Sequence, residues 1–202
     1  MTRLSLALVL SLLFSVPSYA DNTGTQADHD ALRKLKADVT VAANNRDYAA
    51  MQKQLHQPFM ATLITQDSFT DLGKLKEYFE NLYTRDTLQM KSVSLAAEAD
   101  ELSQIYQGTF AVTKGSTKEH YELTDGRSFD LDGRWTAVSL KDKGEWKLLA
   151  VHTGTNFLDN PVLTAIEKSV VWFGVGGMAG GLIVGFVFGW HFRKGRAEKS
   201  AA

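Results

Sequence analysis

The chain has 202 residues, with 22 Lys+Arg against 23 Asp+Glu and a formal net charge of −1, which excludes a polycationic nucleic-acid binder. Hydrophobic residues are 44% and charged residues 22%, a balance that excludes wholesale disorder. Cysteine is absent, so disulfides, thiolate catalysis, Cys-based zinc sites and iron–sulfur clusters are excluded as well.

In chain order, Met1 to Arg3 is followed by an apolar run from Leu4 to Phe14 and small residues at Ser18 and Ala20. This pattern predicts a secretory signal peptide over 1–20, cut after Ala20, and a polar lead-in over 21–27. From Asp28, Ala31, Leu32, Leu35, Val39 and Ala42 recur at helical spacing, which predicts a first helix capped by Asp28 or Asp30. A second short helix is expected over Tyr48–Leu55 with Asp47 as its cap. A buried strand is expected over Pro58–Thr65. A third helix should open at Asp71, with Leu72, Leu75, Tyr78, Phe79 and Leu82 on one side.

The period then changes to two. Tyr106, Gly108, Phe110 and Val112 alternate with polar or small residues, as one strand would. Lys114-Gly115-Ser116 reads as a turn, Asp125-Gly126 as another, and Asp132-Gly133 as a bulge or tight turn. Arg134–Leu140 and Trp146–Thr153 read as strands joined across Asp142-Lys143-Gly144. Helices first and an antiparallel meander second predict an α+β domain over 28–162, with helices packed on one face of a curved sheet.

Several of these residues carry a resemblance: Tyr106-Gln-Gly108, Asp125-Gly126, Gly133-Arg134-Trp135-Thr136-Ala137-Val138, Lys141 through Leu148, His152, and the ending Asn156 through Pro161. Together they resemble the SnoaL-like branch of the nuclear transport factor 2-like superfamily over residues 28–162. The resemblance implies a cone whose bent sheet and helices enclose a pocket, and a dimer. It implies no single activity, because isomerases, cyclases, dehydratases and members without known catalysis share the fold.

Candidate site residues follow. His152 shares strand parity with Trp146, Leu148 and Ala150, which places it among apolar groups, a setting that tunes a general base. The bland alternative is a hydrogen-bonded core or rim histidine. Tyr106, Phe110, Tyr121, Trp135 and Trp146 could line a ligand pocket or serve as core and dimer contacts. Arg134 could clamp a carboxylate or phosphate, or serve as a structural Arg paired with an acid such as Asp130 or Asp132. Asp130-Leu-Asp132-Gly133 lacks the remaining ligands of a calcium loop and reads as a turn. His29 and His56 stand without partners at metal-ligand spacing, so no metal site is expected. No Gly-x-Ser-x-Gly elbow occurs, and no cofactor motif is present; Gly174-Val-Gly176 lacks the spacing of a dinucleotide fingerprint.

Val170 to Trp190 is a second apolar run, without charge or proline. Its 21 residues reach about 32 Å as a helix, close to the roughly 30 Å hydrocarbon core of a bilayer. A transmembrane helix is therefore expected over 169–192. Arg193, Lys194, Arg196 and Lys199 make 193–202 a basic tail, cytoplasmic by the positive-inside rule. With the signal peptide, this predicts a single-pass inner-membrane protein whose domain lies in the periplasm or outside. Gly177, Gly181, Gly185 and Gly189 share one helix face, a pattern that favours self-association, hence a homo-oligomer. With the two ends set aside, 17 basic residues stand against 22 acidic ones, so the exported part carries about −5, against nucleic-acid binding. The favoured reading is a membrane-anchored, non-catalytic module that binds a small molecule or partner protein. The alternatives are an acid–base enzyme of isomerase, cyclase or dehydratase type, and a structural assembly unit.

Overall fold

A computed structural model describes the backbone of residues 24–199 and the side chains of residues 24–189. The expected signal peptide and its cleavage after Ala20 lie outside the described residues.

The first helix, α1, spans Gln26–Asn44. Its cap is Thr25, not Asp28 or Asp30. The Asp28 amide donates to Thr25 Oγ1 (3.2 Å), and the Thr25 amide donates to the Asp28 carboxylate (3.3 Å). This is a capping box, with the acid on the third helical residue rather than the cap itself. The helix consequently starts inside the expected lead-in. Its buried side carries Leu32, Leu35 and Ala42, the expected stripe. Helix α2 (Tyr48–Gln54) and helix α3 (Leu72–Thr84) start at Asp47 and Asp71 as expected. Those carboxylates accept from the amides of Ala50 and Lys74, each at 2.9 Å.

Seven strands form one sheet: β1 (Leu55–Thr62), β2 (Ser68–Phe69), β3 (Met90–Ala99), β4 (Gln104–Tyr106), β5 (Phe110–Leu123), β6 (Ser128–Asp142) and β7 (Glu145–Thr155). The order is β2-β1-β7-β6-β5-β3, with β4 also paired to β5. All pairings are antiparallel except β1 with β7, which run parallel. The chain is thus α+β, with helices packed on a curved open sheet. One hydrophobic cluster joins Leu32 and Leu35 of α1 to Ile105, Ala111 and Trp146. A second joins Leu55, Phe59 and Ala61 to Met51, Leu72, Leu148 and Val151.

Several local expectations are corrected. Strand β1 begins at Leu55, earlier than Pro58. Strand β3 was not anticipated. Tyr106 to Val112 is not one strand, because Gln107 and Gly108 (φ +50° and +65°) fold it into a tight hairpin. Lys114-Gly115-Ser116 and Asp132-Gly133 are not turns; both lie inside long strands, Gly115 opposite Trp135 and Gly133 opposite Thr117. Glycine inside a strand often marks a close approach rather than a turn. Asp125-Gly126 and Lys143-Gly144 do turn the chain, with Gly126 at φ +89° and Gly144 at φ +88°.

The last helix, α4, runs unbroken over Pro161–Lys199. Within it, the 29 residues Pro161–Gly189 are long and apolar enough to cross a membrane, and none of its most apolar stretch is buried. At 1.5 Å per residue they reach about 43 Å, the thickness of a bilayer with its headgroup layers. A side chain added at Gly177, Gly181, Gly185 or Gly189 would meet nothing within 4 Å.

Candidate functional site

A cavity of about 500 Å³ opens between α1 and the concave face of the sheet. Its floor is a set of cross-strand neighbours. Trp135 lies opposite Thr153, Ala137 opposite Val151, and Ser139 opposite Leu148. On the other side, Ala137 neighbours Thr113 and Trp135 neighbours Gly115. Ala137, a small residue between Thr113 and Val151, keeps the centre of the floor low beneath the helix. His29, Leu32, Lys36 and Val39 of α1 form the roof, and Leu95 and Ala97 of β3 form a side wall.

The lining is mostly apolar, with a few placed polar groups, as ligand cavities commonly are. Trp135 is held by its indole N–H, which donates to the Ser116 carbonyl at 3.1 Å. The Ser103 and Thr113 hydroxyls bond each other at 2.7 Å. His29 is 7% exposed, and its Nδ1 is buried without a hydrogen-bond partner among the described residues. At the rim, Lys36 Nζ donates to the Ala97 carbonyl (2.7 Å) and to Glu98 (3.3 Å).

Two buried carboxylates flank the cavity. Glu119 accepts from Thr117 Oγ1 at 3.0 Å and from the Tyr121 hydroxyl. Burial, then the Glu119 charge, pushes the Tyr121 phenol above its ordinary value. The Tyr121 ring stacks on Phe129, centroids 5.0 Å apart. Asp28 accepts from Lys141 Nζ (2.6 Å), Trp146 Nε1 (3.0 Å) and Thr25 Oγ1 (2.8 Å). The Lys141 hydrogen bond, followed by those of Thr25 and Trp146, holds the Asp28 carboxyl well below the usual carboxylate range, against the opposing effect of burial.

His152 does not face the cavity, contrary to the parity expectation. The register of β7 against β6 shifts between Leu148 and Ala150: Ser139 pairs with Leu148, but Val138 pairs with Ala150. Leu149 is therefore an extra residue, and side chains beyond it swap faces. Leu148, Val151 and Thr153 line the cavity, whereas His152 is exposed on the other face.

The aromatic set is not brought together. Of Tyr106, Phe110, Tyr121, Trp135 and Trp146, Trp135 alone lines the cavity. Tyr106 (40% exposed) and Phe110 (44%) flank the β4–β5 hairpin, and the Tyr106 hydroxyl donates to Gln104. Trp146 belongs to the cluster under α1. Arg134 pairs with neither Asp130 nor Asp132; its exposed guanidinium forks onto Asp100, Nη1 to Oδ1 at 3.0 Å. Asp130 instead bonds His120 at 2.7 Å on the exposed face. Among the described residues, no group of three His, Asp or Glu is placed to hold a metal. The group that sequence reasoning passed over is His29. A signal existed, since His29, Leu32, Lys36 and Val39 recur every three to four residues on one helix side.

Comparison with family models returned no match, and comparison with curated proteins returned none either. Solved structures do match. A putative scytalone dehydratase from Novosphingobium aromaticivorans is 14% identical with a TM-score of 0.55, over 65% of this chain and 85% of that one. A ketosteroid isomerase-like protein from Erwinia carotovora atroseptica is 13% identical with a TM-score of 0.54, over 65% and 98%. A conserved protein from Planctomyces limnophilus is 16% identical with a TM-score of 0.54, over 63% and 95%. At these identities the likeness shows the fold, the nuclear transport factor 2-like cone, and no activity.

Proposed function

We propose that the chain is a membrane-tethered module whose exported domain binds a small, mainly apolar molecule. The observation that carries this reading is the cavity of about 500 Å³ under α1, which the protein's own side chains leave unfilled. Volumes of this order suit a small organic ligand. Ala137 lies at the centre of the floor, between Thr113 and Val151. Ala137→Phe should fill the space and weaken binding of naphthalene by about tenfold or more, with little change in melting. The measurement is equilibrium dialysis of the full chain in nanodiscs, with empty nanodiscs subtracted. Unaltered binding in a folded Ala137→Phe protein would remove the cavity from the function.

The tether follows from the apolar stretch of α4 and the expected signal peptide. The domain then lies outside and the basic tail in the cytoplasm. A reporter active only outside the cytoplasm should work when fused after Asn160 and fail when fused after Ala202. The reverse pattern would overturn this topology.

A second reading, an acid–base enzyme, is favoured by one observation: His29, a potential proton-transfer group, is buried in the cavity wall. Two of the similar structures are called a putative dehydratase and an isomerase-like protein. Turnover of a small ketone, enol or hydroxy acid by the full chain, lost in His29→Phe, would replace the first reading with this one.

A further inference from the structure

The charges around the cavity are already matched. Lys36 is bonded to Glu98, Arg33 to Asp30, and Glu101 to Lys114 at 3.0 Å. Among the described residues, a ligand charge entering this space would meet no unpaired opposite charge in the lining, and burying an unpaired charge is costly. The polar groups of the floor are also engaged in part: Ser103 and Thr113 bond each other, and the Thr117 hydroxyl donates to Glu119.

His29 is different. It stands in the first turn of α1 and forms part of the cavity wall, 7% exposed, with Nδ1 unpartnered among the described residues. Native proteins rarely leave a buried polar atom without a partner, and each such case asks for an explanation. Rotation about the terminal torsion of histidine is soft, so the ring can present a nitrogen to the space below it. A neutral imidazole offers one N–H and one lone pair. It therefore complements a hydroxyl or a carbonyl.

We propose that the cavity selects an uncharged, mainly apolar molecule bearing one hydroxyl or carbonyl group, held by a hydrogen bond to the His29 imidazole. This rests on the cavity being a binding site, and it names the ligand class that the site takes. The test uses three probes of one skeleton, naphthalene, 2-naphthol and 2-naphthoate, each dialysed at neutral pH against the full chain in nanodiscs and corrected with empty nanodiscs. The wild type should bind 2-naphthol about tenfold more tightly than naphthalene, the worth of satisfying one buried polar group. 2-Naphthoate should bind more weakly than 2-naphthol. His29→Phe should lose the preference for the hydroxyl, so that its ratio of 2-naphthol to naphthalene affinity falls to about one.

Equal binding of naphthalene and 2-naphthol would overturn the inference and leave the cavity reading standing. Preference for 2-naphthoate would overturn it in favour of charge recognition. A hydroxyl preference that survives in a folded His29→Phe protein would remove His29 from the recognition. Should that variant fail to fold, the ratios measured on the wild type still decide the ligand class. Binding of none of the three probes would overturn both readings.

Discussion

Asp28→Ala is expected to destabilise the domain by about 3 kcal/mol, the scale found when one partner of a buried ion pair is removed. Asp28 is 8% exposed and gathers donors from three elements: Thr25 before α1, Lys141 at the end of β6 and Trp146 at the start of β7. It thereby fastens the start of α1, the roof of the cavity, to the β6–β7 hairpin. In the alanine protein the Trp146 indole N–H and the Lys141 ammonium lose their acceptor together. Lys141 is 30% exposed at its side chain, so water recovers part of that loss, and the expected cost stays at the lower end of the buried-pair range.

The same carboxylate sets an acid dependence. Its folded-state pKa lies below the ordinary value of about 3.9. A depressed carboxyl binds fewer protons folded than unfolded, so its contribution is full above about pH 4 and is lost as pH falls further. Thermal melting of the wild type should drop steeply in that window, and Asp28→Asn should flatten the drop. An acid limb equally steep in Asp28→Asn would place the acid sensitivity elsewhere.

What could be read in the sequence was what local chemistry decides. Asp47 and Asp71 cap their helices because an Asx side chain three residues before a free amide needs no tertiary partner. Lys143-Gly144 turns the chain because φ > 0 is cheap for glycine. The apolar spacing of Leu32, Leu35 and Ala42 revealed which side of α1 is buried. Strand β3 escaped because its Leu95-Ala96-Ala97-Glu98-Ala99 end is rich in residues that favour helix in isolation. Yet Val93, Leu95 and Ala97 do alternate as the half-buried side of a strand.

The site was harder to read because its geometry is set between strands. Nothing local to Leu148-Leu149-Ala150 announces a bulge; the pairing with β6 inserts it. One inserted residue transfers His152 to the outer face and brings Val151 and Thr153 inside. Trp135, upstream on a regular strand, stands on the cavity floor opposite Thr153. His29 was passed over as a solitary histidine, since a single sequence does not say what α1 covers.

Gly115→Ala should be the most damaging single-methyl change in the sheet. Gly115 lies in the middle of β5, opposite Ala99 of β3 on one side and Trp135 of β6 on the other. An ideal Cβ there would stand 2.0 Å from the Glu98 carbonyl oxygen and 2.5 Å from Trp135 Cζ2. The first contact is with backbone, which has no rotamer to escape into. β3 must move away from β5, losing ladder hydrogen bonds, and the Trp135 ring must shift as well, straining the indole bond that holds it to the Ser116 carbonyl. Overpacking of this kind costs about 3 kcal/mol, which for a domain of this size lowers the melting temperature by roughly 10 °C. Gly154→Ala supplies the control. It lies on β7, two strands away across β6, and a methyl group there meets nothing within 4 Å, so melting should stay within a degree or two of the wild type. Equal melting of the Gly115→Ala and wild-type proteins would mean that β3 and β5 are not packed this closely, and the side wall of the cavity would have to be redrawn.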